Sequence, residues 1–223
     1  FPYPTLFRSV AEKPSLVNFD ADKMLLCEKV DNHETNEEWA NMYSLAGLYL
    51  DRYEALRKLS KSSEEIAINT TITALNDPYP FLRRTAIKGL KKAVKDHGDE
   101  VKEKLITLAN TDTNSKVRGD AIAALAKYYK TDVAAQEVIT AGVAEESYYV
   151  IGKSLGALSK TNPDNAMKFA KTLQNDENPR ILGNVAAIYS EHGGAEENEF
   201  FINSSKKMNG FGMYGFVMTY GKY

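Results

Sequence analysis

The segment His33–Glu37, with the sequence HETNE, is the part of the chain closest to a metal-binding motif. A zinc peptidase helix needs two histidines four residues apart, with a glutamate between them as general base. Here Glu37 stands where the second histidine would be, and the segment lies at the predicted start of a helix. Carboxylates in a first helical turn are favoured by the helix dipole. The pattern therefore favours acids that begin a helix and predicts neither a metal ligand nor a catalytic residue.

Cys27 is the single cysteine, so it cannot form an internal disulfide. A nucleophilic cysteine needs positive charge that stabilises its thiolate, and a positioned base. Near Cys27 the sequence offers Lys29 but no histidine at a recognised motif spacing. The short apolar run around it predicts a buried strand instead. We therefore expect Cys27 to be structural.

A stripe of positive charge is the candidate binding site. It lies on a helix predicted over 79–95 and consists of Arg84, Lys88, Lys91 and Lys95. A like-charged stripe is usually a solvated helix face, and that alternative stays open. If the stripe lines the concave side of a superhelix, it could hold an acidic partner or a peptide carboxylate.

Two tyrosine pairs, Tyr128-Tyr129 and Tyr148-Tyr149, are a second candidate recognition surface. Adjacent residues on a helix point in different directions. We therefore expect one tyrosine of each pair to lie in the core.

The charge balance excludes a global electrostatic field for nucleic acid or an anionic membrane. The 223 residues include 28 basic and 30 acidic ones, a net charge of −2. No apolar run approaches the roughly 20 residues that span a bilayer. We expect a soluble protein of the periplasm or the cytoplasm, without choosing between them. Because the chain starts at Phe1 without an initiator methionine, we expect it to be a piece of a longer protein.

A pattern that recurs every 31–35 residues from Tyr49 onward organises most of the chain. Its clearest copy contains Arg83, Ala86 and Leu90, and each of these has a counterpart 35 residues later at Arg118, Ala121 and Leu125. Arg52, Ala55 and Leu59 stand at the same positions 31 residues earlier. A period in this range is typical of stacked helical hairpins that bury their apolar faces against their neighbours.

The pattern predicts about six helix pairs in a domain over residues 33–223. The first helices are predicted near 35–46, 62–75, 99–110, 132–142, 163–174 and 196–208. The second helices are predicted near 49–60, 79–95, 115–130, 147–160, 179–191 and 213–223. Each loop before four of the second helices carries an acid: Asp77, Asp112, Glu145 and Asp176. This acid and the following Arg-x-x-Ala-x-x-x-Leu resemble short HEAT-like repeats, so the fold class is an all-α superhelix.

Residues 1–32 do not follow the repeat. Three short apolar runs bounded by turn residues predict strands at Thr5–Val10, Ser15–Phe19 and Lys23–Lys29. Three strands form a thin sheet with two open edges. We therefore expect them to be the last strands of a β-sandwich-like domain.

The segment Lys13–Lys29 followed by Glu37–Ser60 resembles the junction between β-sandwich and helical domains in aminopeptidase N-like zinc aminopeptidases. In that family a helix begins with Asp-Arg-x-x-Ala-x-x-x-Leu, which matches Asp51, Arg52, Ala55 and Leu59. The family's His-Glu-x-x-His zinc motif and its Gly-x-Met-Glu-Asn segment have no counterpart in this sequence. The resemblance thus implies no catalytic residue here, and places zinc in a catalytic domain elsewhere in a parent protein.

The resemblance also implies a function. The helical repeats would be a non-catalytic C-terminal module that covers an active-site cavity and limits which peptides enter. Its partners would be the catalytic domain of the same chain and peptide substrates, not nucleic acid or membrane. The alternative is a free-standing HEAT-like scaffold for protein–protein interaction. A third hypothesis, a HEAT-like nucleic-acid enzyme, depends only on the stripe from Arg84 to Lys95.

Overall fold

The computed structural model describes residues 10–24 and 35–223. Those ranges contain thirteen α-helices and three short 3-10 helices, and no β-strand. The α-helices are α1 (Asn36–Leu45), α2 (Tyr49–Leu59), α3 (Glu65–Thr73), α4 (Pro80–Gly89), α5 (Ala93–Asp96), α6 (Gly98–Thr111), α7 (Ser115–Tyr128), α8 (Val133–Ala141), α9 (Tyr148–Thr161), α10 (Pro163–Leu173), α11 (Pro179–His192), α12 (Asn198–Ser205) and α13 (Gly210–Tyr220). The 3-10 helices are Ala74–Asn76, Gly142–Ala144 and Ala195–Glu197.

The helices form two layers, as the repeat pattern predicts. The second helices of the six pairs are α2, α4, α7, α9, α11 and α13, and each contacts the next along the chain. We call this layer the second-helix row. The first helices α1, α3, α6, α8, α10 and α12 pack against their own partners and form the other layer. The predicted all-α array of helix pairs is therefore confirmed.

The recurring alanines and leucines form the core between the two layers. Ala55, Ala86 and Ala121 are fully buried, and so are the leucines one turn later at Leu59, Leu90, Leu125 and Leu158. Small residues let neighbouring helices approach closely, and leucines fill the space beside them. Each fully buried leucine contributes about 1.5–3 kcal/mol relative to an exposed one.

Asparagines in the loops cap the N-termini of α10 and α11. The side chain of Asn162 accepts a hydrogen bond from the backbone N–H of Asn165 at 3.2 Å, and Pro163 follows as the first residue of α10. Asn178 accepts from the N–H of Arg180 at 2.9 Å at the start of α11. A capping side chain satisfies a backbone donor that has no partner within the helix.

The single helix predicted over 79–95 is wrong. The helix α4 ends at Gly89, and α5 begins only at Ala93. Glycine is a poor helix former, and this glycine lies against the end of α2. A Cβ atom on Gly89 would come within 2.7 Å of the Cβ of Ser60. The basic stripe therefore does not lie on one continuous helix face.

The strand predicted at Ser15–Phe19 is also wrong, because this segment is irregular. Val17 is 75% exposed and Phe19 is 56% exposed, so the apolar run is not buried as the predicted strand would be. The predicted strands Thr5–Val10 and Lys23–Lys29 lie largely outside the described residues, as do Cys27 and His33.

The irregular segment that contains Asn18 and Lys23 binds the first helix pair through the buried carboxylate of Asp51. Asn18 donates from Nδ2 to Oδ2 of Asp51 at 2.8 Å, and Lys23 Nζ lies 2.5 Å from Oδ1. This hydrogen bond to Asp51 is the largest cause that raises the pKa of Lys23. Leu16 packs against the core from the same segment.

None of the helices in the described ranges combines the length and the apolar character needed to cross a membrane.

Two tyrosines should make the fold sensitive to alkaline pH. Burial, with nearby carboxylates adding, raises the pKa of both Tyr129 and Tyr189 to about 12. Their hydroxyls donate to Gly98 O at 2.6 Å and to Gln174 Oε1 at 3.0 Å. In an unfolded chain the tyrosine pKa is about 10. The stability from these raised values is thus complete below pH ~10 and is lost as the pH rises toward ~12.

We expect urea midpoints to fall over that pH window, together with tyrosinate absorbance. Tyr129→Phe should flatten this fall, whereas Tyr214→Phe, at an exposed position, should leave it unchanged. Equal curves for the wild type and Tyr129→Phe would contradict the prediction for this residue.

Candidate functional site

Two of the loop acids, Asp77 and Asp112, have two roles in the repeat. A carboxylate oxygen of Asp77 accepts from the backbone N–H of Tyr79 at 2.8 Å, and Asp112 accepts from Asn114 at 2.8 Å. Such turns fix the loop just before a second helix begins. The same carboxylates also accept from arginines of the second-helix row.

Three ion pairs link successive helix pairs: Arg52 with Asp77, Arg83 with Asp112, and Arg118 with Glu145. The Arg83 guanidinium donates from Nε and Nη2 to both oxygens of Asp112 at 2.7 Å, and Nη1 donates to the carbonyl of Asp77 at 2.7 Å. We call this series the ion-pair ladder. The series ends at α9, where Ile151 stands at the position of the arginine. Because each ion pair joins one helix pair to the next, the ladder stabilises the stacking of the array.

An open groove lies on the second-helix row over α7, α9 and α11. We call it the basic groove, and its volume is about 750 Å³. Its floor is made of small residues: Ala123, Ala126, Gly152, Gly156, Ala157 and Gly183. Its other lining residues are two tyrosines, an asparagine and four cations: Tyr148, Tyr149, Asn184, Lys127, Lys153, Lys160 and Arg180. None of the lining residues is acidic.

Two glycines leave the floor open without being required for helix packing. A Cβ atom on Gly156 or on Gly183 would meet no atom within 4 Å. By contrast, a Cβ atom on Gly152 would lie 2.7 Å from Nδ2 of Asn184. Side chains added at Gly156 or Gly183 would therefore enter the groove and leave the core intact.

A polar network fixes one wall of the basic groove. Arg84 donates from Nε to Oδ2 of Asp120 at 2.7 Å, and the hydroxyl of Tyr149 donates to Oδ1 of Asp120 at 2.6 Å. Gly119 makes room for the ring, since a Cβ there would lie 2.7 Å from Tyr149 Cδ1. Burial and the hydrogen bond to Asp120 raise the pKa of Tyr149, which keeps it a neutral donor. Lys153 Nζ lies over the same ring, 5.4 Å from its centroid.

The four predicted binding residues fall beside this groove and not in it. Arg84 reaches it through Tyr149, while Lys88, Lys91 and Lys95 are exposed. Lys88 and Lys91 precede the lining residues Ala123 and Ala126 by one repeat of 35 residues. Lys95 lies on the separate helix α5. Ligand binding by these four residues stays a prediction.

The tyrosine pairs have different outcomes. Tyr148 and Tyr149 both line the basic groove, so the expectation that one of them lies in the core is wrong. Tyr128 and Tyr129 are half-buried and pack against the core.

Sequence reasoning missed the groove cations, although one signal was available. Lys92, Lys127 and Lys160 stand at one repeated position, 35 and 33 residues apart. Aligning the repeats at that position would have found a row of lysines across successive second helices. Lys153 and Arg180 have no such signal.

One serine–histidine contact invites comparison with a hydrolase. Ser159 Oγ lies 2.9 Å from Nε2 of His192 and donates to Oε2 of Glu191 at 2.8 Å. In a catalytic triad the acid holds the other imidazole nitrogen. Here Glu191 lies 3.6 Å from Nε2 itself, so the arrangement joins the ends of α9 and α11 instead of activating the serine. Among the described residues, no group of three or more His, Cys, Asp or Glu side chains could hold a metal ion.

Comparison with known families supports the repeat architecture. Residues 49–126, from the start of α2 to the last turns of α7, match the family model of HEAT repeats. No curated protein matches the chain. The resemblance to HEAT repeats is therefore confirmed over this part, and the fold is an all-α HEAT-repeat array. The resemblance to zinc aminopeptidases finds no support in these comparisons.

Proposed function

We propose that this HEAT-repeat array is a protein-interaction module and that the basic groove binds a segment of a partner protein. The observation that carries the proposal is the groove itself. It is open on the second-helix row, with two tyrosines on its wall and a floor of glycine and alanine. Tyrosines supply much of the binding energy in protein interfaces, and stacked repeats present extended binding surfaces.

The groove is also pre-organised for binding. Its lining residues lie on packed helices, and the hydrogen bond that the hydroxyl of Tyr149 donates to Asp120 holds this side chain in place. A side chain that is ordered before binding loses less conformational entropy when a partner arrives. This favours a recognition surface over a solvated helix face.

The proposal is tested by selecting peptides from an unbiased display library on the immobilised wild-type chain. Gly156→Leu fills the groove, and Gly215→Leu is the matched control at another open helical glycine, on α13. Selected peptides should bind Gly156→Leu about tenfold more weakly or worse, and should bind Gly215→Leu as they bind the wild type. Peptides that bind all three proteins equally would contradict the proposal.

A second candidate function is the C-terminal helical module of a zinc aminopeptidase-like parent. The observation that favours it is Asp51, in the Asp-Arg element of the resemblance, which anchors the preceding segment through Asn18 and Lys23. The described residues do not fit a zinc ion, so the metal and the catalysis would belong to another part of the parent.

The test is an aminopeptidase assay of the full-length gene product with and without zinc. This candidate predicts zinc-dependent turnover by the full product and none by residues 1–223 alone. Absence of turnover by the zinc-loaded full product would refute it.

A further inference from the structure

We infer that the segment bound in the basic groove is acidic, with aspartate or glutamate side chains that pair with the groove cations. The inference rests on the proposed function and adds the chemistry of the ligand to it.

The groove cations have no carboxylate partner among the described residues, in contrast to four arginines elsewhere on the second-helix row. Arg52, Arg83, Arg84 and Arg118 each form an ion pair with a carboxylate of this chain. No carboxylate of the described residues forms such a pair with Lys127, Lys153, Lys160 or Arg180. Lys127, Lys160 and Arg180 are exposed, and Lys153 is half-buried. Four cations without a carboxylate partner in the described part of the chain, in a groove whose lining contains no acid, raise the local concentration of anionic ligands.

The surroundings favour a short acidic peptide over a nucleic acid. The whole chain carries a net charge of −2 with 28 basic residues. Since four of these cations line the groove, the rest of the chain is more acidic than the whole. A long polyanion that extends beyond the groove would meet this acidic surface, whereas a short segment would not. The groove volume of about 750 Å³ is also that of a compact ligand site, which a short peptide segment can fill.

The positions of two lysines set the spacing of the ligand's carboxylates. Lys153 and Lys160 lie seven residues apart on α9, which corresponds to about 10 Å along a helix axis. A bound peptide in the polyproline II conformation has three residues per turn and rises about 3.1 Å per residue, so carboxylates three residues apart lie on the same side and span about 9 Å. The exposed ring of Tyr148 lies at the groove wall and can pack against an apolar side chain of the same peptide.

The experiment measures fluorescence anisotropy with two labelled short peptides. One has glutamates at every third position, and the other has glutamine at each of those positions. We expect the glutamate peptide to bind wild type about tenfold more tightly, since several exposed ion pairs, each weak by itself, contribute together. Added salt should weaken its binding, because exposed charge pairs are screened.

Charge-reversal variants locate the binding. The double variant Lys153→Glu/Lys160→Glu should lose the preference for the glutamate peptide. The matched control is Lys168→Glu/Lys206→Glu, which makes the same charge change at two exposed residues outside the groove. The control variant should bind like the wild type. Circular dichroism and urea midpoints verify that both variants are folded.

Each outcome decides something. If the glutamate peptide fails to bind, or binds no better than the glutamine peptide, the inference is wrong. If peptides from the display selection still bind the wild type more tightly than Gly156→Leu, the proposed function is unaffected. Tighter binding of a short DNA duplex, lost in Lys153→Glu/Lys160→Glu, would overturn the inference in favour of a nucleic-acid ligand. A display selection that yields no groove-dependent peptide would refute the proposed function itself.

Discussion

Replacing Asp77 by alanine should destabilise the array by about 3–5 kcal/mol, the range for breaking a buried ion pair from one side. Asp77 is 4% exposed and accepts from three groups: the guanidinium of Arg52, the hydroxyl of Tyr43 at 2.6 Å and the N–H of Tyr79 at 2.8 Å. Without the carboxylate, the largely buried guanidinium of Arg52 and the buried hydroxyl of Tyr43 both lose their hydrogen-bond acceptor. The loop before α4 also loses its turn.

Asp176→Ala is the control for this prediction. Asp176 stands at the same loop position and accepts from the N–H of Asn178 at 2.6 Å, but no arginine of the described residues pairs with it. Its loss should reduce stability by only about 0.5–2 kcal/mol, the range for a lost cap or turn. Urea denaturation of both variants gives the two free energies of unfolding. Equal losses would show that the ion-pair ladder contributes nothing beyond the turn.

The members of the ladder were visible in the sequence, but their pairing was not. Arg83 and Asp112 were each recognised as repeated positions, one on a second helix and one in a loop. Their side chains meet across 29 residues of chain. A periodic pattern shows which positions are equivalent, whereas the contact depends on how one hairpin stacks on the next. The ladder therefore needed three-dimensional coordinates.

The fold was predictable because hydrophobic period and loop chemistry agreed along most of the chain. The helix predicted near 115–130 is α7, and the one near 179–191 is α11, each within two residues at both ends. The errors arose where local pattern and packing disagree. Gly89 ends α4 against Ser60 although the charged residues that follow keep a helical period. Ser15–Phe19 is apolar in sequence but exposes Val17 and Phe19.

The candidate site was predicted only in its general character. A basic stripe on a single helix is what periodicity can detect, and it led to Arg84 and Lys88. The basic groove instead combines cations from three helices, such as Lys127 on α7 and Arg180 on α11. The open space above Gly156 cannot be recognised in the sequence. A helical glycine can lie against a neighbouring helix or face solvent, and the sequence does not distinguish the two.

The recurring leucines make the second large prediction. Leu125 is fully buried at the middle of the array, on α7, which contacts α4, α6, α8 and α9. Leu125→Ala should reduce the free energy of unfolding by about 2–5 kcal/mol, because the lost apolar contact is joined by the cost of the cavity. Leu50→Ala is the control, since Leu50 is 48% exposed on α2 and its truncation should change stability by about 0.5 kcal/mol or less.

Hydrogen exchange should show which helices lose stability in Leu125→Ala. Stacked repeats are stabilised by contacts with their immediate neighbours, so disruption of one repeat weakens adjacent ones most. Amide protection should therefore fall most in α6, α7 and α9, and less in α13, which lies two helix pairs beyond α9 in the second-helix row. A uniform fall along the chain would mean that the array unfolds as one cooperative unit. Equal stability losses in Leu125→Ala and Leu50→Ala would contradict the core role of the repeated leucine, on which the whole arrangement of the second-helix row depends.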